Sequence, residues 1–249
     1  MKNRAALALL PLLVAGCNSA DTTNVSAPAT PVPSAPAPAG SAWVDTISRT
    51  ADGGYVMGNP NAPLKIIEYG SRACPFCAKF DADGFPALKQ GYVANGKVSY
   101  EFRDYPVHGA LDVAPILLGH CIADPSTFFP LLDQMFANQP TLLVNEQAVS
   151  SKIAATMGNA APTQVAVAYA EGLGYLDFVK ARGIPEDKAR TCLNDAGAIQ
   201  KLADRTQQAN EKYQVSGTPT FIVNGVVLPL RPGEDPWVML ETALKTRGA

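Results

Sequence analysis

The sequence is short of charge and has no basic run. Lys, Arg, Asp and Glu make up 17% of its 249 residues, and the formal net charge is −2. No nucleic-acid partner is expected from that balance, because phosphate recognition needs clustered cations. Histidine is scarce, at 2 residues, and there is no second Cys-x-x-Cys and no internal repeat. A hydrolase is not indicated, since no G-x-S-x-G elbow accompanies His108 or His120. Gly91 to Lys97, GYVANGK, looks like a phosphate loop but lacks the Ser/Thr after its lysine and precedes a strand, so it reads as a turn. What is present is an ordinary globular balance, 47% hydrophobic, with material for one substantial core or a core plus an insertion.

The N-terminus reads as an export signal. Lys2 and Arg4 precede an apolar run of 11 residues, Ala5 to Ala15. That is short of the ~20 residues a bilayer-spanning helix needs but suits a signal-peptide core. The run ends in Val14-Ala15-Gly16-Cys17, which resembles a bacterial lipoprotein lipobox. By that resemblance residues 1–16 are removed and Cys17 becomes the lipidated mature N-terminus. An ordinary secretory signal with an incidental cysteine is the plainer alternative. Loss of Lys2 and Arg4 takes Lys+Arg from 20 to 18 against 22 Asp+Glu, so the formal charge falls from −2 to −4. Either route exports the chain to a compartment where disulfides persist. Of the 5 cysteines, lipidation of Cys17 leaves Cys74, Cys77, Cys121 and Cys192, which allow three pairings. Asn18 is not the aspartate that marks inner-membrane retention in some bacteria, and by that analogy the outer membrane is favoured.

From Asn18 to Ala42 there is no aromatic residue, and prolines alternate with alanines and serines, so residues 17–42 read as a semi-rigid tether. Folded sequence begins near Trp43. Leu64 to Tyr69 (LKIIEY) reads as a buried strand, and a helix is expected to start at Pro75 and run toward Gln90. Lys97 to Asp104 alternates Val98, Tyr100 and Phe102 against polar neighbours, as a second strand does. Residues 108–197 carry helical apolar spacing, such as Val149, Ile153 and Met157, and no strand signal. A helix over Ile199 to Tyr213 follows, then short strands flanking Asn224-Gly225, a hairpin signal. Asp235-Pro236 caps a last helix with Trp237, Leu240 and Leu244 on one face. The order calls for an α/β fold, a mixed sheet with helices on both faces, split as residues 43–107 and 198–249 around a helical insertion.

The chemistry concentrates at RACPFCAKF, Arg72 to Phe80. A Cys-x-x-Cys at a helix N-terminus exposes its first sulfur to free N–H groups and the positive end of the helix dipole, both of which favour thiolate. Such thiols fall from about 8.5 to roughly 3.5–7.5. Cys74 is then the attacking thiolate and Cys77, one turn into the helix, the more buried resolving thiol. A zinc site needs four ligands, and the remaining candidates, Cys121, Cys192, His108 and His120, are scattered. A purely structural 74–77 staple would close a tiny loop and stabilise little. Far downstream, Gly217-Thr218-Pro219 enters a strand. A cis Thr218-Pro219 bond there would leave backbone groups free for a docking peptide.

Together the two signals resemble the DsbA family of thioredoxin-fold thiol–disulfide oxidoreductases, in particular the bacterial branch with a helical insertion. The matching stretches are Gly58 to Cys77, Lys97 to His108, Phe128 to Gln139 and Val215 to Gly225. The resemblance implies a thioredoxin-like fold with the all-helical subdomain inserted between its halves. Thr218 and Pro219 would face Cys74 and, with Pro75 and Phe76, contact the substrate. Glu68 would be a buried acid beneath the pair that moves protons. Cys121 and Cys192 match positions where some relatives carry a structural disulfide, which here would close a 72-residue loop.

The sequence also departs from the family. Phe76 stands where strongly oxidising relatives often carry a histidine that stabilises the thiolate. Arg72, two residues before Cys74, is the candidate substitute cation; a solvated arginine is the alternative. The expected function is disulfide exchange with exported proteins in the bacterial periplasm, as an oxidase recycled by a membrane redox partner, without cofactor or metal. Isomerisation or reduction is the alternative within the same chemistry, although isomerases of the group usually carry a folded N-terminal dimerisation domain, and the tether in its place argues for a monomer. A binding protein, either a copper-holding or a substrate-holding chaperone, is the alternative of another class, but the Cys-x-x-x-Cys spacing and dedicated histidine of copper-delivery relatives are missing.

Overall fold

A computed structural model describes residues 30–230 and 233–249. The expected signal segment and lipidation site, residues 1–16 and Cys17, lie outside the described residues. Six strands form one sheet in the order β1-β2-β4-β3-β5-β6. They are β1 (Ile47–Arg49), β2 (Tyr55–Gly58), β3 (Leu64–Gly70), β4 (Val98–Asp104), β5 (Thr220–Val223) and β6 (Val226–Val227). Only β3 and β4 run parallel, with Glu68 opposite Phe102; β5 joins β3 antiparallel, with Glu68 opposite Phe221. The expected hairpin forms, Asn224 and Gly225 taking φ of 48° and 82°. Strands β1 and β2 were not anticipated. At three and four residues they are too short for alternation to register.

Helix α1 (Pro75–Asp83) is shorter than the expected run to Gln90. The chain breaks at Gly84, where a Cβ would lie 2.7 Å from Cβ of Trp237, and resumes as α2 (Phe85–Leu88). Pro86 supplies the cause, since it has no N–H to continue the ladder. The insertion holds α3 (Ala110–Gly119), α4 (Phe128–Ala137), α5 (Gln139–Leu142), α6 (Glu146–Thr156), α7 (Pro162–Gly172), α8 (Tyr175–Lys180) and α9 (Glu186–Leu193). The return is α10 (Ala196–Tyr213), and α11 (Pro236–Lys245) closes the chain, its first turn capped by Asp235.

The insertion is not a detached lobe. Phe128, Phe129, Leu132 and Phe136 of α4 belong to the same core as Tyr100 and Phe102 of β4 and Leu240 and Leu244 of α11. The opposite side of α4 packs Leu131 and Met135 into a second core with Leu117, Leu118 and Tyr175. One helix therefore ties sheet and insertion together. The two cysteines of the insertion, Cys121 and Cys192, form a disulfide with Cα atoms 5.9 Å apart.

The second half of the expected tether departs from a free spacer. Val32 N–H donates to the Gly248 carbonyl at 2.7 Å, and Ala35 N–H to that of Asn95 at 3.0 Å. The Trp43 indole donates to the Ala35 carbonyl at 2.7 Å. Val32 also packs against the sheet core. Residues 30–42 thus run along the domain, because their backbone groups find partners at its surface.

Candidate active site

Cys74 is the N-cap of α1, with extended backbone (φ −81°, ψ 121°) and Pro75 at the first helical position. Its sulfur faces the start of the helix. The Cys77 thiol donates to the Cys74 sulfur and is the largest influence on it; burial opposes, and the Thr218 side chain and the N–H groups of Cys77 and Phe76 add to the lowering. The Cys74 thiol is brought down to about 5. Cys77 is fully enclosed, and burial, its donation to Cys74 and the charges of Glu68 and Cys74 push its thiol well above the ordinary range. Both cysteines are unpaired, so the site is in its reduced form. Phe76, between them, is 62% exposed, and Pro75 beside it is exposed as well.

The Thr218-Pro219 bond is cis, as expected, and brings Thr218 to the sulfur. The Cys74 thiol donates to the Thr218 carbonyl at 3.3 Å. The Thr218 hydroxyl is buried and has no hydrogen-bond partner among the described residues. Once Cys74 is ionised, that hydroxyl is the donor the thiolate requires.

Glu68 lies beneath the pair on β3 and is 1% exposed. Burial pushes its carboxyl up to about 8; the Tyr100 hydroxyl, donating to Oε2 at 2.6 Å, opposes this, and the charges of Asp81 and Cys74 reinforce it. The site therefore holds a low thiol, a high thiol and a carboxyl protonated near neutrality.

Arg72 is neither solvated nor a partner for the thiolate. It is 1% exposed, and its Nε donates to Asp104 Oδ1 at 2.7 Å while Nη2 reaches Oδ2 at 3.2 Å. The guanidinium sits over the Phe128 ring, 5.3 Å from its centroid, against Gly119, where a Cβ would come within 2.3 Å of Nη1. Burial works against the Asp104 carboxylate, but the charge of Arg72 and the His120 hydrogen bond at 2.7 Å outweigh it and hold the carboxyl at about 2. Arg72 anchors the loop and leaves the sulfur to local donors.

Four residues of the site were not singled out from sequence. Tyr100 read only as an inward strand residue; the parallel register of β3 and β4 makes it the partner of Glu68. Gln139, at the start of α5, donates Nε2 to the carbonyls of Arg72 at 3.0 Å and Cys74 at 3.1 Å. Ser71 Oγ donates to Asp112 Oδ1 at 2.7 Å and accepts from Ala73 N–H at 3.1 Å. Asp112, with 0% exposure, also accepts from His108 N–H at 2.8 Å. The insertion thus grips the loop before Cys74 through Asp112 of α3 and Gln139 of α5. No local motif signals such long-range partners.

Residues 50–237 match a family model described as thioredoxin. A putative protein-disulfide oxidoreductase of Rickettsia bellii is 28% identical over 171 residues, 69% of this chain and 57% of that protein. Disulfide bond formation protein D of Bacillus subtilis is 23% identical over 175 residues, 70% of this chain and 68% of that protein. The chain spans just over half the length of the rickettsial relatives, 57% and 56% for those of R. bellii and R. prowazekii. Among solved structures, a protein-disulfide isomerase from Novosphingobium aromaticivorans aligns with a TM-score of 0.70 and 29% identity, covering 80% of this chain and 98% of that one. Wolbachia pipientis alpha-DsbA1 aligns with a TM-score of 0.59 and 21% identity, over 79% of this chain and 91% of that one, a likeness of fold. The fold is thioredoxin-like, with a mixed sheet and the helical insertion.

Proposed function

The chain belongs to the thioredoxin family, and we propose that it exchanges disulfides with exported proteins, acting as a dithiol oxidase. The observation that carries this reading is the asymmetry of the pair: Cys74 is held at about 5 and Cys77 well above the ordinary range. Stabilising one thiolate stabilises the reduced form, and a pair whose reduced form is stable is a good electron acceptor.

The steps follow from the geometry. A substrate thiolate attacks Cys74 Sγ of the oxidised pair. The mixed disulfide forms as the Cys74–Cys77 bond breaks, and the electron pair leaves on Cys77. Cys77 takes a proton, because burial disfavours its thiolate, and Glu68, protonated below about 8, is its source. A second substrate thiolate attacks the substrate sulfur of the mixed disulfide, and Cys74 leaves as the stabilised thiolate. Two electrons have passed from substrate to enzyme. Thr218 and Pro219 align the substrate backbone, and Pro75 and the exposed Phe76 offer it apolar contact.

A membrane redox partner recycles the pair, and Cys17 carries a lipid that anchors the chain in the periplasm, on the outer membrane by the Asn18 analogy. The Cys121–Cys192 disulfide supports an oxidising compartment. No helix among the described residues is long and apolar enough to cross a membrane. Isomerisation is the second reading, favoured by the likeness to the Novosphingobium isomerase structure.

The test is the reduction potential of the 74–77 pair against glutathione buffers, with Cys74→Ala as control. A value toward about −120 mV supports the oxidase, and one near about −270 mV identifies a reductant. An intermediate value calls for a scrambled-substrate assay to separate oxidase from isomerase. Exchange that persists in Cys74→Ala defeats the assignment.

A further inference from the structure

A cavity of about 290 Å³ lies between the β1–β2 end of the sheet, α3 and α10, apart from the cysteine pair. Its apolar lining is Ile116, Leu117 and Leu202. Most of the other lining side chains are charged, and the charges do not balance. Each carboxylate in the wall has a partner of its own. Asp104 is shared between Arg72 and His120, both at 2.7 Å. Asp52 meets Arg103 at 2.8 Å, and Asp195 accepts the Ala198 N–H at 2.9 Å as the cap of α10. Arg103 is further neutralised by Glu101 at 2.8 Å.

The remaining cations have no such partner. Arg49, Lys201 and Arg205 line the cavity without a hydrogen bond or ion pair among the described residues. Lys212, at the same wall, lies over the Tyr213 ring at 4.9 Å. Arg205 is half-buried, and its guanidinium is pressed on Gly53, where a Cβ would come within 2.0 Å of Cζ. Gly53 has φ +83°, so both its backbone conformation and its missing side chain keep this space for Arg205. Burial and the charge of Arg49 make the Arg205 guanidinium easier to deprotonate, and the charges of Asp52 and Asp104 oppose this without cancelling it. Arg49, Lys201 and Lys212 are exposed and Arg205 is half-buried, so the lining carries more cations than carboxylates at a surface an anion can reach.

We propose that this cavity binds a small organic or inorganic oxyanion, a dicarboxylate or a phosphate group, held by Arg49 and Arg205 with Lys201 and Lys212 at the wall. The apolar lining suits a short carbon skeleton between or behind the anionic groups. Paired arginines favour planar or tetrahedral oxyanions over chloride because their donors match the oxygens in pairs. The site stands on its own residues and does not depend on the exchange reaction.

The experiment is calorimetric titration of the full-length protein with succinate and, separately, inorganic phosphate, at constant ionic strength set with sodium chloride. Saturable one-site binding is expected, weakened at least tenfold by Arg205→Gln and by Arg49→Gln. Lys89→Gln, outside the cavity, should leave it unchanged. Tighter succinate than phosphate identifies a carboxylate ligand, and the reverse a phosphate one. Arg205→Lys separates charge from fold: it should lose less binding than Arg205→Gln. Absence of saturable binding for both anions overturns the proposal, as does equal weakening by Lys89→Gln, which would mark general screening.

Discussion

Tyr100 donates its hydroxyl to Glu68 Oε2 at 2.6 Å, from a neighbouring strand and beneath a redox pair that neither residue adjoins in sequence. That bond stabilises the carboxylate form of Glu68, against the burial that pushes it up to about 8. Tyr100→Phe removes the donor, so the Glu68 carboxyl should titrate higher still. The carbonyl stretch of the acid, followed by infrared difference spectroscopy against Glu68→Gln, reports the midpoint; no upward movement would show that the hydrogen bond is not what restrains it.

Glu68 also links stability to pH. Its folded-state value of about 8 lies above the unfolded value near 4.5. The stability it allows is therefore fully present below about 4.5 and is lost as pH rises through about 8. Glu68→Gln does not titrate. Urea denaturation of the reduced proteins should find the variant gaining on the wild type between these limits, with the difference flat above them.

Cys74 should titrate with a midpoint of about 5, read from thiolate absorbance or the pH dependence of alkylation. Cys77→Ala removes the largest stabilising donor and should move the midpoint upward, still below the ordinary thiol range because Thr218 and the helix N–H groups remain. A midpoint unchanged in Cys77→Ala would shift the credit to the helix.

His108 Nδ1 lies 3.2 Å from Asp112 Oδ2 and 3.1 Å from Ser71 Oγ. The Asp112 hydrogen bond raises its pKa above 6.5; burial opposes, and the charges of Asp112, Cys74 and Glu146 add to the rise. The stabilisation is present below 6.5 and lost as pH rises through the raised value. In Asp112→Asn the imidazole should titrate lower by NMR. The same titration on the disulfide form should also fall, because the Cys74 charge is gone.

Arg72→Met leaves Asp104 buried with only His120 beside it and should destabilise the fold by about 3–5 kcal/mol in urea. Arg72→Met combined with Asp104→Leu should recover most of that loss, since no unpaired charge remains. Full additivity of the two would mean the pair is not coupled.

Replacing Cys121 and Cys192 by alanine releases a closure spanning 71 positions and should cost about 2–4 kcal/mol. The alkylation profile of Cys74 should be unchanged, because the bridge ties α9 to the chain after α3, away from the sulfur.

Much of this molecule was legible in one dimension. The positions of β3, β4, the hairpin at Asn224-Gly225 and the last helix follow from apolar spacing and caps that act over a few residues. So does Cys74 as N-cap, because Pro75 fixes where the helix starts. Strands β1 and β2 escaped, since three or four residues carry no period and exist only by pairing with a neighbour. What the tertiary structure alone decided is where charge goes. Arg72 looked like a cation for the thiolate, and the fold gave it to Asp104 of β4 instead, enclosed by Gly119 and Phe128. Tyr100 reaches Glu68 across 32 positions, and Asp112 and Gln139 reach the active-site loop across 41 and 65. Local spacing determines which segments become helix or strand, because their hydrogen bonds and buried faces repeat along the chain. Electrostatics in a buried site depends on distance through space and on exclusion of water, and neither is written along the sequence.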